Sequence, residues 1–411
     1  MFPEAGFIFI CIRICIYIMD NFEEKASLCA LGHIFGFEPA TAIALVRHFG
    51  SAAEVFRAGV SQTDALLGPY SRHRGQITAQ ALDNAMRELE DLDGQGISYT
   101  GWTEETYPSL LKECADAPAG LYVRSLTPEE SLWNNRRCIA IVGTRDISPY
   151  GKEWCERLVA ALASTQEKPV IVSGLALGTD ICAHRAALEH GLPTIAVMAT
   201  GADRIYPFRH TQTAEMMSTT PGCALVTDYP PGTPPLALHF LRRNRIIAGL
   251  CETLVLTESR AKGGGMNSAR LAFSYDRNVH ALPGRVDDPR SQGCNILIKS
   301  KIAEPLIDIE AFIEEHGFNI CRHGGKSQDS AGAIRERLRQ AFSGNAREED
   351  ILMMERMLGE IRRDKGVTIE ELGDRTGCGY GNASGYAALL ETEGFITCDL
   401  LQRCTINLKN M

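Results

Sequence analysis

The hydrophobic period of the chain changes twice. From residue 22 to 90 apolar positions recur at helical spacing. Within it, Gly36–Gly59 reads as a turn, a helix through Ala42, Leu45 and Val46, a second glycine turn and another helix. This predicts a helical module of helix-hairpin-helix or sterile-alpha-motif type over 19–100. From about residue 135 short β-branched runs take over, each followed by a helical stretch. The runs are Cys138–Gly143, Val170–Gly174, Thr194–Gly201, Cys223–Tyr229, Thr253–Ser259 and Val279–Gly284. Near-continuous apolar strands separated by helices predict a parallel sheet covered on both faces. The expected fold class is α/β, a Rossmann-like doubly wound parallel sheet over 101–318, with Tyr107–Ser125 as a connecting extension at its start.

Residues 319–350 are richer in Gly, Ser and charge and read as a linker. Val367–Ile396 reads as helix, glycine turn, helix and β-branched tail, which predicts a winged-helix module over 351–411. Such modules read duplex DNA with the second helix. Here that helix, Gly381–Gly394, carries no Arg or Lys, so packing against a partner is the expected role. At the other end, Gly6–Met19 is strongly apolar but short and broken by Arg13. A bilayer span needs about 20 apolar residues, and no small-residue cleavage site follows. Residues 1–18 therefore read as an extension upstream of a start at Met19. A peripheral membrane anchor is the alternative, and no stable membrane association is expected.

Composition narrows the classes. The chain is 45% hydrophobic and 23% charged, the profile of a soluble globular protein. A net charge of −9 excludes a protein that coats nucleic acid over its whole surface. It leaves room for a local basic groove, because binding follows local potential. Fourteen cysteines occur without a CxxC pair or zinc-finger spacing. They read as reduced core thiols of a cytoplasmic protein, with no disulfide framework, metal or cofactor expected.

In an open parallel sheet, ligands bind beyond the carboxyl ends of the strands. Those ends carry Gly143, Thr144 and Arg145; Ser173, Gly174 and Gly178; Arg204, Tyr206 and Arg209; and Arg260, Lys262 and three consecutive glycines. Glycine turns that open helices let backbone amides approach an anion. Tyr206 or Phe208 can stack on a base. The densest cationic run, Arg242, Arg243, Asn244 and Arg245, reads as the start of the helix after the fourth strand. Arginines there oppose the helix dipole, an arrangement a bound anion would offset; a salt-bridged surface is the other reading. No G-x-G-x-x-G follows the first strand and no G-x-S-x-G elbow occurs, so a dinucleotide oxidoreductase and an α/β hydrolase are disfavoured. His184, four residues after Asp180, has no nucleophile beside it and reads as a helix-surface hydrogen-bonding residue.

Several ordered motifs resemble those of the DNA-processing protein A family (DprA, also called Smf). They are Tyr107–Leu111, Asp116–Pro118, Ile141–Arg145, Ser173–His184, Gly201–Pro207, Phe240–Arg245, Pro283–Gly284 and Ser291–Ile298. The resemblance implies a protein without catalytic residues that binds incoming single-stranded DNA. It implies loading of a RecA-type recombinase during natural transformation and a homodimer formed through the Rossmann-like domain. It also implies that Arg145, Ser173, Gly174, Arg242 and Arg245 line the DNA pocket and that Asn244 holds the loop. Arg242 and Arg245 are three apart and can share a helical face, so Arg243 is expected to point elsewhere, to a carboxylate or a partner subunit. With Gly143, Arg204, Tyr206 and Lys262 these form the candidate DNA-binding set. One departure stands out: Gly263–Ala269 has fewer hydroxyls than the family's run, with Ser268 near the usual threonine. Two alternatives stay open. One is a phosphoribohydrolase acting on nucleoside monophosphates, for which the proline and glutamate of P-G-G-x-G-T-x-x-E are lacking and Glu258 precedes the glycines. The other is a non-catalytic interaction scaffold.

Overall fold

The computed structural model describes residues 4–319, 335, 337–342, 347–363, 366–399 and 402–406. They fall into two units, Met1–Cys321 and Arg322–Met411.

Each apolar run of the central region forms a strand of the first unit. These are β3 (Cys138–Val142), β4 (Val170–Ser173), β5 (Thr194–Val197), β6 (Ala224–Thr227), β7 (Thr253–Leu256) and β8 (Asn278–Ala281). All pair in parallel, and side chains alternate between the two faces. Cys138, Ala140 and Val142 of β3 join one apolar cluster with Ile246 and Ile247. Ile139 and Ile141 join another with Leu158 and Ala183. Burial on both faces is why these runs are mostly apolar rather than alternating.

The sheet is larger than its parallel part. The end of the stretch read as a helical module supplies β1 (Ile97–Gly101), and the connecting extension supplies β2 (Gly120–Arg124), an antiparallel pair whose second strand adds to β6, also antiparallel. A two-residue β9 (Glu304–Pro305) follows β8. The order is β1-β2-β6-β5-β4-β3-β7-β8-β9. The chain reverses its direction of strand addition between β3 and β7.

Five helices precede β1: α1 (Glu4–Phe35), α2 (Pro39–Phe49), α3 (Ala52–Arg57), α4 (Gly59–Leu67) and α5 (Ala79–Asp93). Gly50 ends α2 at φ 90°, a left-handed conformation open to glycine. Ser51 caps α3 by accepting from the Glu54 N–H, and the Glu24 carboxylate accepts from Ala52 and Ala53 N–H. These helices share a core with the sheet: Leu28, Leu31 and Phe35 lie in one cluster with Tyr99, Tyr122, Ala196 and Leu225. α1 runs through Met19 without a break. Among the described residues no helix is long and apolar enough to cross a membrane.

The remaining helices are α6 (Ser109–Lys112), α7 (Pro149–Ala163), α8 (Thr179–Glu189), α9 (Thr211–Ser218), α10 (Ala237–Leu250), α11 (Gly264–Ser274), α12 (Gln292–Lys299) and α13 (Ile309–Glu315).

The second unit has its own core. Helices Glu348–Arg363, Ile369–Thr376 and Gly379–Thr392 pack with an antiparallel sheet of Val367–Thr368, Arg403–Ile406 and Ile396–Cys398. Thr368 and Glu371 form a reciprocal capping box at the start of the middle helix. Leu338 and Phe342 are buried in this core, so the packed unit begins before residue 351. Most of the expected linker, including 320–334, lies outside the described residues.

Candidate nucleic-acid interface

The carboxyl ends of β3, β4, β5 and β7 bring their loops to one rim, and glycines set the closeness of its floor. A Cβ at Gly143 would run into the hydroxyls of Thr179 and Thr257, which lie 3.0 Å apart. The Ser173 hydroxyl is fully buried and donates to the Ile141 carbonyl at 2.6 Å, so it holds β4 to β3. After it the chain turns through Leu175 at φ 56° and Gly178 at φ 74°. Two histidines fix that turn. His184 Nε2 accepts from the Leu175 N–H at 3.3 Å, and His210 Nδ1 donates to the Leu175 carbonyl at 2.8 Å. His184 is therefore a core residue rather than a surface one. Burial, then the nearby Arg243 guanidinium, pushes it down to about 3, so it is neutral. Asp180 lies in the same interior, its carboxyl raised by burial against the opposing pull of Arg243.

The arginine run is dispersed by helical geometry. α10 starts at Ala237, which puts Arg242–Arg245 in its second and third turns. The dipole argument for a bound anion at the helix start does not apply here. Successive residues on a helix point about 100° apart, and each side chain goes to a different place. Arg242 donates to the Gly36 carbonyl and its guanidinium lies 4.0 Å from the centre of the Phe37 ring. It ties α10 to the α1–α2 turn. Arg243 runs under the rim, donating from Nη1 to the Gly174 carbonyl at 2.6 Å and to the Val197 carbonyl. It is only 3% exposed, and burial lowers it to about 10. Arg245 pairs with Asp228 at 2.5 Å, both side chains buried. Asn244 is also buried. The expected orientations of Arg243 and Arg245 are thus exchanged. Arg243 reaches the pocket floor, while Arg245 finds the local carboxylate and has no free face for a phosphate.

What stands above the floor is an aromatic and cationic cluster around Phe240, the first residue of the F-x-x-R-N-R motif and one that sequence reasoning did not single out. Arg145 lies 4.9 Å from its ring centre and Arg243 6.0 Å. The Tyr206 ring meets it edge-on at 5.7 Å. Tyr206 and Phe208 are exposed, as are Arg145, Arg204, Arg209, Arg260 and Lys262. No ion pair forms at any of these five cations among the described residues. Asp146 next to Arg145 pairs with Arg290 at 3.0 Å, and the buried Asp180 lies within electrostatic reach of the Arg145 guanidinium. Ser268 is buried inside α11 and cannot serve as the phosphate-facing hydroxyl. Glu258 is buried and accepts from the Ser148 N–H and hydroxyl at 2.8 and 2.5 Å at the start of α7. It holds a helix in place and does not face the glycines.

Residues 98–317 match the family model described as DNA recombination-mediator protein A. The chain is 35% identical over 250 residues to the DNA processing protein DprA of Bacillus subtilis, spanning 59% of this chain and 82% of that protein. It is 36% identical over 196 residues to the DprA of Streptococcus pneumoniae, spanning 48% of this chain and 66% of that one. The solved structure of the pneumococcal protein superimposes with a TM-score of 0.57 at 26% identity, covering 72% of this chain and 96% of its own. The large, mostly parallel sheet, the ordered motifs on its rim and these matches together show that the chain belongs to the DNA recombination-mediator protein A family, whose Bacillus subtilis and Streptococcus pneumoniae members are named DNA processing proteins.

Proposed function

We propose that this chain binds single-stranded DNA along the rim of the parallel sheet. It would pass that DNA to a RecA-type recombinase during natural transformation, acting as a homodimer built on the sheet-containing unit. The observation that carries the reading is the set of exposed, unpaired cations Arg145, Arg204 and Lys262 around the exposed rings of Tyr206, Phe208 and the half-buried Phe240. Cations beside aromatic faces suit a strand whose phosphates and bases are both accessible, because stacking tolerates any base. In this reading Gly143, Gly174 and their neighbours supply a close backbone floor. Arg243 shapes that floor, and Ser173, Arg242, Asn244 and Arg245 support it from behind. The second unit acts as a winged-helix module that docks a partner, since its Gly379–Thr392 helix carries no Lys or Arg.

The test is a salt series on oligo-dT and on duplex DNA of equal length. Removing one phosphate-binding cation should reduce the slope of log K against log salt by about 0.7 for single strands. The Arg145→Ala/Arg204→Ala/Lys262→Ala variant should flatten the slope by about 2. Tyr206→Ala should weaken binding by about 1–3 kcal/mol with the slope unchanged. An unchanged slope in the triple variant refutes the site. Recombinase assembly on the same oligonucleotide, with and without this protein, tests the loading step separately.

A further inference from the structure

Four polar side chains from three elements converge on one point at the junction of α1, α5 and β2, away from the rim. Cys29 and His33 are four apart on α1 and therefore share a helical face. Glu88 comes from α5 and Tyr122 from β2. Cys29 Sγ lies 3.7 Å from His33 Nε2, 3.6 Å from Glu88 Oε1 and 3.2 Å from the Tyr122 hydroxyl. His33 Nε2 lies 3.2 Å from that carboxylate oxygen and 2.9 Å from the hydroxyl, and the last two are 2.6 Å apart.

We propose that Cys29, His33, Glu88 and Tyr122 form a binding site for a divalent transition metal of the zinc class, which staples the N-terminal helices to the sheet edge. The six distances define a tetrahedron with one point about 2 Å from all four atoms, close to zinc–nitrogen and zinc–oxygen bond lengths of about 2.0–2.1 Å. For tetrahedral zinc the edges from sulfur should be about 3.5 Å and the nitrogen–oxygen edge about 3.3 Å. The Cys29, His33 and Glu88 edges agree with these within about 0.2 Å. The Tyr122 hydroxyl sits closer, at 2.6 Å from Glu88, and must retreat by about half an ångström or more to become the fourth ligand, or yields to water. A simple hydrogen-bonded cluster explains the Tyr122–Glu88 pair. The Cys29 thiol also donates to Glu88 Oε1, and His33 Nε2 lies 3.2 Å from it; what points to a metal is that all four donor atoms surround one point at coordination distance.

Charge and donor type fit as well. A dication with one thiolate, one carboxylate, a neutral imidazole and a neutral phenol is neutral overall, as a largely buried site requires. Metal binding releases the Cys29 thiol proton to solvent, and no other bond changes. Without metal that thiol is held well above its ordinary value by burial and by Glu88. Sulfur and imidazole ligands exclude magnesium and calcium, which take oxygen. The ligands are also well anchored. β2 is hydrogen-bonded on both sides, Tyr122 pairing with Tyr99 and Thr227, and the Tyr99 ring backs Tyr122 at 5.0 Å. His33 and Glu88 are partly exposed, at 33% and 23%, which gives the ion a route from solvent. Sequence spacing hid this site, because the four residues come from three elements and lack CxxC or zinc-finger spacing.

The experiment uses the full chain, stripped with chelator and titrated with Co²⁺, then with Zn²⁺. One equivalent of Co²⁺ should produce tetrahedral visible bands and a thiolate-to-cobalt charge-transfer band, and Zn²⁺ should bleach both and raise Tm. Cys29→Ala should abolish the charge-transfer band although the other cysteines remain. His33→Gln, on the partly exposed side, should weaken Co²⁺ binding by more than the ~10–100-fold typical of losing an outer-shell partner. If Cys29→Ala does not fold, the His33→Gln titration and the wild-type spectrum decide. The proposal is overturned if wild type gives no charge-transfer band, if Cys29→Ala keeps it, or if His33→Gln binds as tightly as wild type.

Discussion

Gly174→Ala tests whether the rim depends on close backbone approach. A Cβ at this position would sit 2.5 Å from both Cζ and Nη2 of Arg243. Comfortable separations are about 3.5–4.0 Å, so the guanidinium must retreat by at least 1 Å or so. It has no free space for this, being 3% exposed and bonded to the Gly174 and Val197 carbonyls. Hydrogen bonds to a charged group contribute about 1.5–3 kcal/mol each, and losing one fully, with part of the second, costs about 3 kcal/mol. At roughly 2 °C per kcal/mol for a unit of this size, Tm should fall by about 6 °C. Affinity for oligo-dT should fall too, because Arg243 supports Phe240 from below. Gly264→Ala is the control: nothing lies within 4 Å of its Cβ. Both substitutions restrict the unfolded chain alike, by about 0.4–1 kcal/mol, so their difference isolates the clash. Thermal unfolding followed by near-ultraviolet circular dichroism measures it. If Gly174→Ala melts within about 1 °C of Gly264→Ala, the close-approach argument is wrong.

Arg245→Ala should destabilise the first unit by about 3–5 kcal/mol, because it strands the buried Asp228 carboxylate; Arg145→Ala should stay within about 0.5 kcal/mol, and urea unfolding compares the two. Stability should fall as pH drops from about 6.5 toward 4. His184 and His280, held down to about 3 and about 4 mainly by burial, take up protons in the unfolded chain but not in the folded one over that range. Each contributes a slope of up to about 1.4 kcal/mol per pH unit, and His184→Gln should remove its share in denaturant melts across the range. Thr368→Ala should cost the second unit about 1 kcal/mol by breaking its capping box, seen as an earlier urea midpoint for that unit alone.

The parallel strands were legible because strands buried on both faces are predominantly apolar, and Cys138–Val142 is apolar throughout while its successors hold polar residues only here and there, such as Thr194 and His280. The antiparallel pair β1–β2 was not, because Ile97–Gly101 mixes Ser, Thr and Gly with its apolar positions and Gly120–Arg124 is bounded by Gly and Arg. The rim was legible from glycines and cations at strand ends. The assignment of the arginines within it was not, since four consecutive helical positions differ only by angular register, and register needs the helix start. Placing that start at Ala237 rather than at the arginines exchanges Arg243 with Arg245. Phe240 was visible as a motif letter, but its role depends on Tyr206 and Arg145, which reach it from other loops.

The two-residue β9 also bears on how copies of this protein can meet. A sheet that ends in a long bare strand offers a row of N–H and C=O groups to any extended chain and invites growth by strand addition. This one ends at Glu304–Pro305, and proline has no N–H to give. Its outer margin therefore has almost no ladder for a second chain to continue. Association on that side must proceed through side-chain surfaces of helices and loops, where size, shape and charge select the partner. An isologous contact made that way closes at two subunits, whereas strand addition has no natural stopping point.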